Sequence, residues 1–221
     1  MNNLREKRRI KRATAIVTAA EAEFRLAGFA ASRVDAIAAR AEVSPATIYN
    51  YYGDKAALLL EVFRRHSAVT RTIVSKLIRC PPSDPIVAID RYFTTIFDRS
   101  MRNLSPALWR EAYAESYAGP PARFGGVVRA FDDAVYEEMR ELFEALQRTG
   151  TVKVPISSED LAELGLSVGN LHWSLFLTGK TSLASAKEDA TRQISILLGD
   201  VSMGPNKKSD GNDAVATKTR S

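Results

Sequence analysis

Residues 44–55 carry side chains whose chemistry suits recognition of double-stranded DNA. The methyl groups of Ala46 and Thr47 could contact a thymine methyl, and the amide of Asn50 could pair with the edge of an adenine. Tyr49 and Lys55 carry donors suited to phosphate oxygens. The pattern therefore predicts a surface in which small side chains read bases and larger ones hold the DNA backbone.

The helix that precedes this cluster is predicted from apolar residues at helical spacing. Ser32 is its predicted N-cap, and Asp35 stands three positions later, where a capping box places its second side chain. The inner face consists of Val34, Ile37, Ala38 and Ala41. This helix is short, and we expect it to brace the one that follows.

A second short helix is predicted to begin at Ser44-Pro45, because serine supplies a cap oxygen and proline fits the first helical position. It ends near Tyr51, with Ile48 facing inward. The residues expected to face outward are Arg33, Ala46, Thr47, Asn50 and Tyr51. Two short helices joined by a tight turn predict a helix-turn-helix, whose second helix enters the major groove of DNA.

Residues 29–55, FAASRVDAIAARAEVSPATIYNYYGDK, resemble the N-terminal domain of the TetR family of bacterial repressors. The similarity covers about residues 10–63. It implies that the short third helix reads operator bases while Tyr49 and Lys55 hold the DNA backbone. The complete set of predicted DNA-contacting residues is Arg33, Ser44, Ala46, Thr47, Tyr49, Asn50, Tyr51 and Lys55.

The sequence departs from the family pattern at three positions. Ser32 stands where threonine is usual, Tyr52 where phenylalanine is usual, and Glu42 where glycine is usual. A glycine between the two helices would permit a positive φ. Glu42 therefore either bears a strain of about 1 kcal/mol or belongs to a turn of different shape.

Charge and composition limit the possible functions. The net charge is +5, and the chain up to Lys55 has ten Lys and Arg against six Asp and Glu. The basic segment from Arg5 to Arg12 either supplements DNA binding as an N-terminal arm or is a solvated terminus. Cys80 is a lone cysteine, and the apolar stretch Leu161–Leu177 is interrupted by polar residues. We expect a cytoplasmic protein with no membrane partner.

An enzyme is not expected. The chain has two histidines, His66 and His172, and lacks a glycine-rich phosphate loop, a Cys/His cluster and a nucleophile elbow. No catalytic residue, metal site or cofactor is predicted.

The fold class predicted from helical periodicity is all-α, with about nine helices. We predict a three-helix DNA-binding domain over 1–54, joined by a long helix to a helical-bundle ligand-binding and dimerisation domain over 55–202. The polar segment 203–221 is predicted to be a disordered tail.

The resemblance also implies a small-molecule pocket and a homodimer in the second domain. Candidate pocket residues are Phe93, Phe97, Trp109, Tyr113, Tyr117, Phe131, His172, Trp173 and Phe176, of which His172 suits a core histidine better than a ligand contact. Candidate dimer residues are Gly165, Val168, Gly169, Ile194, Leu197 and Leu198. A repressor released from a palindromic operator by an unidentified effector is the predicted function. The alternatives are a ligand-independent DNA-binding regulator, which a collapsed core would favour, and an activator.

Overall fold

The computed structural model describes residues 2–117 and 125–199, and all regular elements in these two ranges are helices. They are α1 (Asn2–Ala31), α2 (Val34–Arg40), α3 (Pro45–Tyr52), α4 (Lys55–Arg79), α5 (Pro85–Asn103), α6 (Pro106–Tyr117), α7 (Gly125–Arg148), α8 (Ser158–Leu177) and α9 (Leu183–Leu197). The predicted all-α class is confirmed. The predicted tail, 203–221, lies outside the described residues.

The first helix includes the basic N-terminal segment and is interrupted near its end. It begins at Asn2, so the segment Arg5 to Arg12 is helical and exposed, and both interpretations of this segment stay open. Gly28 interrupts it with φ 74° and ψ 171°, a conformation that is open almost only to glycine. The three residues after Gly28 form a separate turn.

The start of α2 differs from the predicted capping box. Its N-cap is Arg33, and no side chain caps the helix. Ser32 is buried, and its hydroxyl donates a hydrogen bond to the carbonyl of Phe29 at 2.7 Å. Ser32 therefore closes the turn after α1 instead of opening α2, since its hydroxyl points back along the chain.

Glu42, which stands where glycine is usual, lies in the turn between α2 and α3. Glu42 has φ 54°, the conformation that a glycine would adopt there. The amide of Val43 donates to the carbonyl of Ala38 at 3.0 Å, and the amide of Glu42 donates to that of Ala39 at 3.3 Å. These two bonds form a Schellman motif, so the usual turn is kept and Glu42 bears its strain.

The third helix forms as its sequence predicts. Ser44 caps it by accepting the amide of Thr47 at 3.2 Å, and Pro45 occupies the first turn. Ile48 is its buried residue. The hydroxyl of Tyr52, one of the departures from the family pattern, donates to the carbonyl of Ala13 at 3.3 Å and so ties α3 to α1.

Trp109 on α6 is the centre of the core formed by α4 to α9. Its ring centroid lies 4.7 Å from that of Phe63 on α4, 5.0 Å from Phe131 on α7 and 5.4 Å from Trp173 on α8. Its indole N–H donates to the carbonyl of Ser100 on α5 at 3.0 Å. One buried side chain thus connects five helices, so a change in the packing of any one of them reaches α6.

The glycines of α8 face the interior of their own chain, which corrects part of the predicted dimer surface. A Cβ placed on Gly165 would lie 2.6 Å from Met139 Sδ of α7, and one on Gly169 would lie 3.1 Å from Phe93 Cε1 of α5. Ile194 on α9 is also buried in the core. The close approach predicted for these residues is real, but it is made within one chain.

The two positive-φ positions should respond in opposite ways to substitution. Glu42→Gly relieves strain in the Schellman turn and should raise the free energy of unfolding by about 1 kcal/mol. Gly28→Ala introduces strain, although its Cβ would meet no atom within 4 Å, and should lower it by about 1–3 kcal/mol. Urea denaturation at fixed protein concentration measures both. Equal shifts in the same direction would contradict this account.

Candidate nucleic-acid interface and ligand cavity

The outward face of α3 presents three side chains on one side of the helix. Ala46, Tyr49 and Asn50 are exposed, and 49% of Tyr49 is accessible. Their spacing places them on the face opposite the buried Ile48. This face combines a methyl group, a phenol and an amide, the chemistry that base edges and phosphates require.

Other residues predicted to contact DNA are partly used within the chain. The hydroxyls of Ser44 and Thr47 lie 2.9 Å apart and hydrogen-bond to each other. Tyr51 is half-buried and packs against the core. Arg33 is exposed and its guanidinium lies 3.5 Å from the carboxylate of Asp35. The accessible part of the predicted set is therefore Arg33, Ser44, Ala46, Tyr49 and Asn50, with Thr47 at the edge.

Lys55 has a structural role that its residue type did not reveal. Its ammonium donates to the carbonyls of Phe29 at 2.6 Å, Ser32 at 3.0 Å and Ala30 at 3.4 Å, and it lies 4.4 Å from the centre of the Phe29 ring. Burial lowers the pKa of Lys55, an effect that the carboxylate of Glu111 opposes. A phosphate contact by Lys55 would compete with these carbonyls.

The same turn is bound from its other side by a carboxylate. Glu111 on α6 accepts the amide of Phe29 at 3.2 Å and that of Ala30 at 3.0 Å. These amides follow the interruption at Gly28. Residues 29–32, called here the latch turn, thus have three of their carbonyls on Lys55 and two of their amides on Glu111.

A cavity lies beside Trp109 among the helices that follow the helix-turn-helix. Its volume is about 30 Å³, room for about two water molecules. A neighbouring cavity of about 20 Å³ shares four wall residues with it. The shared residues are Ile96, Ser100, Phe131 and Val135. A movement of this partition would join the two spaces.

Polar side chains that the sequence analysis missed line the first cavity, among them His66 and Ser67 from α4, Arg99 and Ser100 from α5, and Glu138 from α7. Glu138 is 3% exposed. Burial raises its pKa to about 7, against the opposing effects of Arg71 and Tyr92. Its sequence signal was available, because Glu138 occupies a core position at helical spacing from Val135 and Leu142.

The predicted pocket residues separate into three groups. Phe93, Phe97, Trp109, Phe131 and Trp173 line one or both cavities. Tyr113 and Phe176 pack against the rings of Trp109 and Trp173 from outside. Tyr117 is 83% exposed, so its prediction as a pocket wall is wrong.

His172 also lies outside both cavity walls. It is buried, and within the described part of the chain neither of its ring nitrogens has a hydrogen-bond partner. The expectation of a core histidine is right about its burial. The expectation that its polar groups would be satisfied is not met by the contacts of the described residues.

Two kinds of feature are absent from residues 2–117 and 125–199. No helix there is long and apolar enough to cross a membrane. No group of three or more His, Cys, Asp and Glu side chains is placed to hold a metal ion.

The helix α3 is capped by Ser44 and has an exposed polar face. It is joined through α4 to a larger helical body. This arrangement defines a helix-turn-helix DNA-binding regulator. Residues 16–62 match the family described as "Bacterial regulatory proteins, tetR family". Over these residues the chain is similar to the DNA-binding domain of TetR-family transcriptional regulators, and the match covers 47 of its 221 residues. No curated protein sequence matches it.

Solved structures share the fold over most of the chain. FadR of Thermus thermophilus, a TetR-family repressor solved with lauroyl-CoA, is 24% identical with a TM-score of 0.64, covering 90% of this chain and 100% of its own. A TetR transcription regulator from Haloarcula marismortui is 15% identical, with a TM-score of 0.68 and coverage of 84% and 97%. The fatty acid degradation regulator FadR of Bacillus halodurans is 14% identical, with a TM-score of 0.62 and coverage of 84% and 97%.

Substitutions on α3 and at Lys55 should differ in their effect on the free energy of unfolding. Asn50→Ala and Tyr49→Ala should each weaken binding to the target duplex by about 1–3 kcal/mol while leaving unfolding unchanged, because both side chains are exposed. Lys55→Met keeps the alkyl stem but leaves the carbonyls of the latch turn without their cation. It should lower the free energy of unfolding by about 1–3 kcal/mol. Fluorescence anisotropy and thermal denaturation test these expectations, and unchanged stability in Lys55→Met would contradict the assigned role.

Glu138 should make stability depend on pH. Because the pKa of the folded state, about 7, exceeds the ordinary 4.5, its stabilising contribution is complete below pH 4.5 and is lost as the pH rises through 7. Glu138→Gln should remove up to about 3 kcal/mol of the stability difference between pH 4 and pH 8. Urea denaturation at both pH values measures it. Glu137→Gln, an exposed neighbour, is the matched control, and parallel profiles for all three proteins would contradict the prediction.

Proposed function

We propose that the chain is a homodimeric repressor that binds a palindromic operator and is released from it by a small-molecule effector. The observation that carries this proposal is the path of α4. Its first residue, Lys55, holds the latch turn of the helix-turn-helix, and its later residues Phe63 and His66 line the cavity beside Trp109. One helix therefore contacts both the DNA-reading unit and the candidate effector site. The division into domains at residues 54 and 55 is part of this proposal.

The proposed DNA contacts follow the exposure of the side chains. Asn50 and Ala46 would meet base edges, while Tyr49 and Arg33 would hold phosphates. Thr47 would contact a thymine methyl from the edge of the surface, and Ser44 and Tyr51 would contribute at its border. Two copies of α3 should be about 34 Å apart to enter successive major grooves, which is why the operator is expected to be palindromic.

The proposed dimer surface lies on the exposed side of α8 and α9. Leu164 and Leu171 of α8 are exposed, and Val168 between them is half-buried, so the three form an apolar stripe. Ile196 of α9 is exposed and Leu197 is half-buried. Leu198 follows at the helix end. An exposed apolar stripe on two adjacent helices supports pairing with a second copy as a four-helix bundle.

The proposed effector is compact and largely apolar, with a polar group. Phe, Tyr and Trp account for seven of the twenty residues that line the two cavities, and Ser100, Arg99 and Glu138 supply hydrogen-bonding groups. Drug-sized ligands occupy roughly 300–1,000 Å³, far more than the space present. The effector would therefore have to displace the shared partition around Phe131. That FadR of Thermus thermophilus was solved with lauroyl-CoA supports ligand binding in this fold.

The small size of the cavity favours a second candidate function. A regulator without an effector would need no opening space beside Trp109, and its occupancy of DNA would follow its abundance or a protein partner. The buried carboxyl of Glu138 favours the first proposal, because a carboxyl in an apolar core costs stability that ordinary packing would avoid.

The first experiment is selection of bound sequences from random duplex DNA at moderate salt, where non-specific phosphate binding is suppressed. An enriched palindrome would support the dimeric sequence reader. Ligand screening against the complex with that duplex would then separate the two candidate functions. If no sequence is enriched by folded, dimeric protein, the repressor proposal is wrong.

Leu171→Glu should convert the dimer into monomers. It places a charge in the apolar stripe of α8, where 51% of Leu171 is exposed, so the single chain should remain folded. Sedimentation velocity measures the change in oligomeric state. Leu26→Glu, also at an exposed leucine but on α1, is the control and should remain dimeric. A dimer that survives Leu171→Glu would place the interface elsewhere.

A further inference from the structure

The latch turn is held by two helices that both form walls of the cavity. Lys55 is the first residue of α4, and Phe63, His66 and Thr70 of the same helix line the cavity. Glu111 belongs to α6, which contributes Trp109 to the wall of the same cavity. Carbonyls of the turn are thus bound by one of the wall helices and its amides by another.

The positions of Trp109 and Glu111 allow α6 to connect the cavity with the helix-turn-helix. Two residues apart, they project from roughly opposite sides of the helix. Trp109 is buried in the aromatic core, whereas Glu111 reaches the helix-turn-helix. A helix of this length moves as a unit, so a displacement of the Trp109 side also displaces the carboxylate.

We propose that Glu111 is a positioning residue that couples the separation of α4 and α6, and hence the occupancy of the cavity, to the orientation of the DNA-reading helix. The proposal rests on the function proposed above and names its internal connection. When the cavity widens, Lys55 and Glu111 pull the latch turn in different directions. The turn connects α1 to α2, so its displacement tilts the helix-turn-helix as a whole.

A second contact between α4 and α1 shows why α6 is needed. His66 Nε2 lies 3.5 Å from the carboxylate of Glu21 on α1. This pair connects α1 to the same wall that already carries Lys55. It can transmit a movement of α4 but not a change in the distance between α4 and α6. Among the contacts of the described residues, the hydrogen bonds of Glu111 join the second wall to the latch turn.

Hydrogen exchange tests the contact itself. In the full-length protein, Glu111→Gln removes the charge and one acceptor oxygen, so the amides of Phe29 and Ala30 should exchange at least about tenfold faster. Glu111→Asp, which keeps the charge but shortens the side chain, should accelerate the same amides and serves if the glutamine variant folds poorly. Glu144→Gln, at an exposed glutamate of α7, is the matched control. Unchanged exchange at both amides would overturn the proposal.

A double-mutant cycle tests the coupling without an identified effector. Ala134 lines the cavity, and Ala134→Leu adds more volume than the cavity contains, so it acts as a built-in occupant that pushes the walls apart. In the unaltered background it should weaken binding to the selected duplex about tenfold. In the Glu111→Gln background it should weaken binding by less than about twofold.

The outcomes of the cycle distinguish the two proposals. Equal effects of Ala134→Leu in both backgrounds would overturn the role of Glu111 while leaving the ligand-responsive repressor intact. No effect of Ala134→Leu in the unaltered background would overturn the coupling of this cavity to DNA binding, and with it the role of Glu111. Failure of the unaltered protein to select any duplex would contradict the proposed function before a variant is made.

Discussion

The latch turn is the constraint on which the DNA-reading unit depends. The interruption of α1 at Gly28 is followed by peptide groups that two charged side chains bind. Lys55 and Glu111 satisfy them with opposite charges from two different helices. These charged hydrogen bonds act with the Ser32 hydroxyl to hold the turn from which α2 starts, and Tyr52 adds a bond from α3 to α1. Charged partners make the bonds strong, but they also make the turn sensitive to where α4 and α6 stand.

The core beside Trp109 combines dense aromatic packing with polar groups that reduce stability. The five helices around the indole leave only small spaces, yet Glu138 and His172 are buried among them. A purely structural core would place apolar residues at both positions. The carboxyl of Glu138, in the wall of a nearly closed space, suits the proposed ligand site, because the instability that it causes lowers the energy needed to open that space. His172 lies outside both cavities.

Local chemistry made part of this structure predictable. The cap at Ser44 and the interruption at Gly28 follow from neighbouring residues, so sequence alone locates them. The carbonyl partners of Lys55 could not be predicted, because they lie far away in sequence and its residue type is equally suited to phosphate. The spacing of Gly165 and Gly169 on α8 predicted the close approach of another helix. It did not predict which helix that would be. Glu138 was detectable as a charged residue at a core position. The predicted pocket residues were chosen for their aromatic rings and therefore did not include it.

The helical N-terminus has a consequence for the rate at which the protein finds DNA. From Asn2 to Gly28, α1 extends about 40 Å at 1.5 Å per residue, and its basic side chains are already ordered on a rigid rod. Within α1 no segment would have to fold against a duplex, so little conformational entropy would be lost from it at encounter. The charges of the rod act mainly before contact, by attracting the polyanion over the screening distance of the solvent. Ionic strength should therefore govern the association rate more strongly than the lifetime of the bound state.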